Sequence, residues 1–159
     1  MTYPTGGTAM VTLPASTSIL ITREFAARPH LVYRCYTEPD LVRRWWGGGT
    51  GEVTVAEVDL RAGGGWRFVI AGDGYEVGFH GVYREIVPGA RIVCTEVYED
   101  GPDTALCTYT FVRSGAGATV SLLTEMPTRE GRDGILDSGM EMGMQASWDL
   151  LEQVALSPG

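Results

Sequence analysis

The chain has 159 residues, 44% hydrophobic and 20% charged, with a net charge of −8, a length that suits one domain with a substantial core. Every cationic side chain is Arg, and the densest basic site is only Arg43-Arg44. The basic stripe that nucleic acid requires is therefore missing, and no apolar run approaches the ~18 residues of a membrane span.

Residues 1–15 (MTYPTGGTAMVTLPA) are rich in Gly, Pro and Thr and read as a flexible tail ahead of one domain spanning 16–157. No basic residue precedes Arg23 and no continuous apolar segment stands there, so no secretory signal is expected. Ser16 to Phe25 (STSILITREF) reads as a first strand. Arg28 to Tyr36 has a helical pattern, with Pro29 in the first turn, where a missing N–H costs least. Glu38-Pro39-Asp40 opens a second short helix, Leu41 to Trp46, which Gly47-Gly48-Gly49 ends.

Six strand candidates then follow at about Glu52 to Asp59, Gly65 to Ala71, Tyr75 to Val87, Arg91 to Glu99, Ala105 to Arg113 and Ala118 to Met126. Short breaks such as Gly72-Asp73-Gly74 and Ser114-Gly115-Ala116-Gly117 separate them. Breaks this short join antiparallel neighbours, because parallel strands need long crossovers. Last comes one amphipathic helix, Arg132 to Leu156. Its Leu136, Met140, Met144, Trp148, Leu151 and Val154 fall within an arc of roughly 120°. The expected class is α+β: a curved antiparallel sheet of about seven strands, covered on one face by the long C-terminal helix, with two short helices after the first strand.

Cys35, Cys94 and Cys107 are odd in number and match no zinc or redox spacing. They read as buried reduced thiols of a cytoplasmic protein. His30 and His80 lie in no metal-ligand motif. No metal and no cofactor are expected.

Four stretches carry a resemblance: FAARPHLVYRCYTEPDLVRRWWGGG from Phe25, DLRAGGGWRFVI from Asp59, FHGVYREIVPGARIVCTE from Phe79, and SGMEMGMQASWDLLEQ from Ser138. In this order they resemble the helix-grip (START-like, Bet v-like) superfamily, SRPBCC. Within it the chain is similar to the family named after the activator of heat-shock protein 90 ATPase homologue, over about Thr17 to Leu156. The resemblance implies a sheet gripping a long C-terminal helix with an interior pocket between them. No universal catalytic set comes with the fold, so function must be argued from the site. The eukaryotic activators add a separate N-terminal domain that contacts the chaperone, and the 159 residues leave no room for one.

The candidate pocket wall is aromatic and thioether. Trp66 and Phe68 alternate on one strand, Phe79 and Tyr83 on the next, and Tyr109 and Phe111 on a later one. Met140, Met144 and Trp148 would face them from the helix. The expected ligand-binding set is Trp46, Trp66, Phe68, Phe79, Tyr83, Tyr109, Met140, Met144 and Trp148. The competing reading is plain core packing. An empty pocket of about 400 Å³ would cost roughly 10 kcal/mol, so a true pocket should hold water, ligand or inward-folded side chains.

Gly139 and Gly143, four apart, suggest close approach of the helix to the sheet or room for a ligand. Trp45 and Trp46 point about 100° apart on a helix. One should plug the cavity end; the other should pack on the sheet edge or stay partly exposed, marking a partner surface. Among polar residues, Glu57, Asp59 and Arg61 share a face, and Glu85 and Glu96 lie on successive strands. A carboxylate buried in an apolar pocket would have a raised pKa and could act as general acid or base. The alternative is solvated pairing, for instance Glu85 with Arg67 or Arg91. Asp133 and Asp137 read as first-turn residues favoured by the helix dipole. No nucleophile motif is present, and no catalytic residue is assigned.

Three functions fit. The first is a domain, monomeric or homodimeric, binding a small hydrophobic or aromatic molecule. The second is a polyketide aromatase/cyclase-like enzyme using the same pocket, which a buried acid near Tyr83 or Arg67 would favour. The third is a chaperone-interacting module, which an exposed patch at Trp45 would favour.

Overall fold

The structure, a computed structural model, describes residues 8–158. Among these residues eight strands form one sheet: β1 (Met10–Thr12), β2 (Ser18–Phe25), β3 (Glu52–Val58), β4 (Gly65–Gly72), β5 (Tyr75–Val87), β6 (Arg91–Tyr98), β7 (Thr104–Ser114) and β8 (Gly117–Glu125). Their order is β1-β2-β8-β7-β6-β5-β4-β3, and every neighbouring pair is antiparallel. Helices α1 (Pro29–Thr37) and α2 (Pro39–Trp45) follow β2; α3 (Arg129–Asp137) and α4 (Met140–Leu156) close the chain.

Alternation sets the core. Ile19, Ile21, Arg23 and Phe25 of β2 turn inward, as do Ala105, Cys107 and Phe111 of β7. On the helical side α4 lies against α1 and α2 and buries Trp148, Leu151 and Val154. All three cysteines are free and buried.

Two expectations are corrected here. The segment 1–15 is not simply a tail. Residues 1–7 lie outside the described residues, but Met10–Thr12 pairs with Leu20–Thr22 as an edge strand, with Ala9 and Val11 fully buried. The anchor is Gln145, buried on α4: its Oε1 accepts from Ala9 N at 3.0 Å and its Nε2 donates to Ala9 O at 2.9 Å. This strand raises the count from seven to eight.

The stretch from Arg132 onward is not one helix. Thr128 caps α3, accepting from Gly131 N at 3.0 Å, and the helix ends where Ser138 Oγ donates to Ile135 O. Gly139 then takes φ +84°, a left-handed conformation open chiefly to glycine. Asp133 is therefore mid-helix, paired with Arg132 at 2.8 Å, and Asp137 ends α3 rather than starting a helix. A Cβ at Gly139 or Gly143 would meet nothing within 4 Å, so neither serves close packing.

Arg23 fastens α4 to the sheet. It donates to the carbonyl of Trp148 and, at 3.2 Å, to Glu152, and its guanidinium lies 4.5 Å from the Phe25 ring centroid. Glu152 in turn accepts from Ala26 N at 2.9 Å. Replacing Arg23 leaves a buried carbonyl and a carboxylate short of their donor. Arg23→Ala is expected to cost about 2–3 kcal/mol of stability, read as a lower urea midpoint with unchanged slope.

Candidate functional site

The inward faces of β4 to β7 and the α1–α2 segment form a small, partly open cavity of about 30 Å³, lined by Tyr36, Trp46, Trp66, Phe68, Tyr83, Ile92, Cys94, Glu96 and Tyr109. That volume suits one or two waters.

Each wall residue has a local reason for its place. Trp66 and Phe68 alternate along β4, with ring centroids 5.0 Å apart. The Trp66 indole donates to Thr95 O at 3.2 Å, across Gly81. A Cβ at Gly81 would lie 2.6 Å from the indole nitrogen and 1.8 Å from Thr95 O, so only glycine leaves this room. Tyr83, two residues on, is clamped through its backbone: its N–H donates to Gly64 O at 2.8 Å, and its carbonyl accepts from Gly63 N at 2.7 Å.

Trp46 caps α2 and stands at 5.6 Å from Phe68 and 5.3 Å from Phe79, edge-on to both. Behind it Gly47, Gly48 and Gly49 all take positive φ, and a Cβ on Gly47 would sit 2.0 Å from Ile70 Cδ1. The glycine run thus turns the chain tightly against β4 and aims Trp46 at the aromatic wall. From α1, Tyr36 packs on Tyr109 at 4.7 Å, and its hydroxyl accepts from Trp148 Nε1 at 3.0 Å.

Of the residues singled out in the sequence, Trp46, Trp66, Phe68, Tyr83 and Tyr109 come together at the cavity. Phe79 does not line it and instead backs Trp46. Met140, Met144 and Trp148 do not line it either. The cavity lies under α1–α2 rather than under α4, because Trp148 spends its face on Phe25, 5.5 Å away, while the methionines pack half-buried against the core. Trp45 is buried at 3% exposure, its indole donating to Cys35 O at 2.8 Å. The partner-facing tryptophan considered above is therefore absent at this position.

The polar residues divide by sheet face. Glu85 pairs with Arg91 at 2.9 Å and Asp59 with Arg61 at 3.0 Å, all exposed. Arg67 turns outward to Glu99 at 2.9 Å, with His80 Nδ1 also 2.9 Å from that carboxylate. Hydrogen bonds from Arg67 and then His80 hold the Glu99 carboxyl down to about 2.

Glu96 is the exception. It follows Ile92 and Cys94 in the inward alternation of β6 and borders the cavity. No hydrogen bond or ion pair holds its carboxylate among the described residues. Burial alone pushes its pKa up to about 7. The neighbouring groups move the same way: burial raises the Tyr36, Tyr83 and Tyr109 phenols, and pushes the Cys94 thiol up to about 12. The signal for Glu96 was present in the sequence, because it stands two residues after Cys94 and four after Ile92 on one strand. Among the described residues no group of three or more His, Cys, Asp or Glu is placed to hold a metal, and no helix is long and apolar enough to cross a membrane.

Residues 26–155 match the family model described as Activator of Hsp90 ATPase homolog 1-like protein. Solved structures share the fold. A Rhodobacter sphaeroides protein is similar at TM-score 0.87 and 23% identity, over 95% of this chain and 99% of that one. A Chromobacterium violaceum protein is 28% identical at TM-score 0.78, over 89% and 98%. CalU16 from Micromonospora echinospora is 22% identical at TM-score 0.61, over 90% and 76%. No curated protein matches the sequence.

A carboxyl raised in the folded state favours folding most when protonated. Its contribution is complete below the unfolded value near 4.5 and is lost as pH rises through about 7. Stability should therefore fall by about 2–3 kcal/mol from Glu96 between those limits. Urea unfolding across this range should show the decline in the wild type and a flatter profile in Glu96→Gln.

Proposed function

The chain belongs to the Activator of Hsp90 ATPase homolog 1-like family, and on that footing we propose that it is a cytoplasmic helix-grip domain that binds a small aromatic or hydrophobic molecule in the cavity under α1 and α2. The observation that carries this reading is the composition of the wall: six aromatic side chains, Tyr36, Trp46, Trp66, Phe68, Tyr83 and Tyr109, converge on one hollow. A hydrophobic core with no such role packs to near crystal density. Ligand pockets are typically ten times larger than this cavity, so binding requires the wall to open. Trp46 is the side chain to move, since it is only partly buried and follows the last turn of α2. Trp46, Trp66, Phe68, Tyr83 and Tyr109 form the binding set, with Tyr36 and Glu96 added to it; Phe79 supports Trp46 from behind.

A second reading is favoured by Glu96. An acid of pKa about 7 in a wall shared with Tyr83 and Tyr109 can give or take a proton at neutral pH. That is the equipment an aromatase/cyclase-like enzyme would need in this cavity. A proton-transfer enzyme should lose turnover in Glu96→Gln while still binding its substrate; a pure binding protein has no turnover to lose.

The binding reading is tested by thermal denaturation with small aromatics such as indole, toluene and phenol. A ligand present at 100 times its Kd should raise Tm by about 5–10 °C, and Trp46→Ala should diminish the rise. A set of such molecules that leaves Tm and tryptophan fluorescence unchanged would remove the basis for the proposal.

A further inference from the structure

The cavity is not simply oily. Its rings surround a single carboxylate, Glu96, and no cationic side chain is among the residues that line it. Among the strands of this wall, Arg67 of β4 pairs with Glu99 and Arg91 of β6 with Glu85, while Arg84 of β5 and Arg113 of β7 are exposed. Glu96 is half-buried and borders the cavity. A half-buried carboxylate without a donor is costly when ionised, and the faces of Trp, Tyr and Phe attract cations within about 6 Å of their centroids. One carboxylate inside an aromatic box is the recognition chemistry of an organic ammonium.

We infer that the molecule this cavity accepts is a small organic cation, a protonated amine on a compact aromatic body, with its ammonium on Glu96 and its carbon frame against Trp46, Trp66 and Phe68. The inference rests on the cavity being a ligand site and narrows what fills it. The amine N–H groups donate to the Glu96 oxygens, and Tyr83 and Tyr109 stand in the same wall. The ionisable groups that feel Glu96 are Tyr36 from α1, Cys94 from its own strand, and Cys107 and Tyr109 from β7, and Tyr83 of β5 shares the cavity wall. Burial raises all five, so they stay neutral through pH 8, and Glu96 alone sets the charge of the site. An ammonium pairs only with the ionised carboxylate. Below pH 7, therefore, its binding must expel one proton from Glu96.

The test compares benzylamine with its neutral counterpart benzyl alcohol, titrated calorimetrically into the full chain from about pH 5.5 to about pH 8. At the upper end benzylamine should bind about tenfold tighter than the alcohol. Its affinity should drop about tenfold per pH unit once Glu96 is mostly protonated, with proton release read from the dependence of heat on buffer ionisation enthalpy. In Glu96→Gln the two molecules should bind to within about twofold of each other; the wild-type pH profile decides the matter alone if that variant does not fold. Equal binding of the two by the wild type at the upper end, or a benzylamine affinity that does not fall below pH 7, overturns the cation while leaving an aromatic ligand site. No binding by either, together with no response to indole, toluene or phenol, overturns the site itself and the cation with it.

Discussion

Trp148 has one indole donor, and it is spent on the hydroxyl of Tyr36 at 3.0 Å; the same residue's carbonyl accepts from the buried Arg23 of β2. Its ring also packs on Phe25 at 5.5 Å. One residue of α4 thus joins the last helix, the first helix and the second strand. Tyr36 is itself a wall of the cavity and leans on Tyr109. The C-terminal helix therefore shapes the cavity without lining it, by fixing the phenol that forms its roof. The grip and the hollow depend on the same hydrogen bond.

The size of the hollow follows from its cost. A void of 30 Å³ costs under about 1 kcal/mol if dry, which a domain of this size tolerates; a void large enough for an aromatic molecule would take most of its stability. The protein keeps the space small and surrounds it with rings that pack on one another at 4.7 to 5.6 Å. What stays expensive is the charge of Glu96, and there the protein accepts a raised pKa instead of supplying a counter-ion.

Much of the fold was legible because turn chemistry is local. The glycine and proline breaks bounded β3 to β8, and their shortness required antiparallel neighbours. The edge strand Met10–Thr12 was not legible, because three residues among Gly, Pro and Thr carry no periodicity, and the partner that anchors them, Gln145, lies 136 residues away. The split between α3 and α4 was hidden by the apolar arc, which runs through Gly139 without a gap; only the backbone shows its positive φ. Alternation correctly grouped Trp66 with Phe68, but no local signal says which residues a helix 60 or more positions later will meet. Met140, Met144 and Trp148, expected on the wall, lie outside the lining of this cavity. Trp45 and Trp46 had to diverge; which one turned toward the aromatic wall was decided by the glycine turn pressed against Ile70. Glu96 was readable by its period with Ile92 and Cys94. The ease of pairing surface glutamates with arginine obscured it, and only the outward commitment of Arg67 and Arg91 leaves it alone.

The reciprocal amide exchange between Ala9 and Gln145 has a practical side for anyone trimming or re-engineering this polypeptide. A cleavage placed after Ala9 would leave the buried carboxamide of Gln145 without the peptide group that satisfies both of its polar ends. Fusions, tags or protease sites are better grafted at the Ser157 end, where the last turn already opens to solvent.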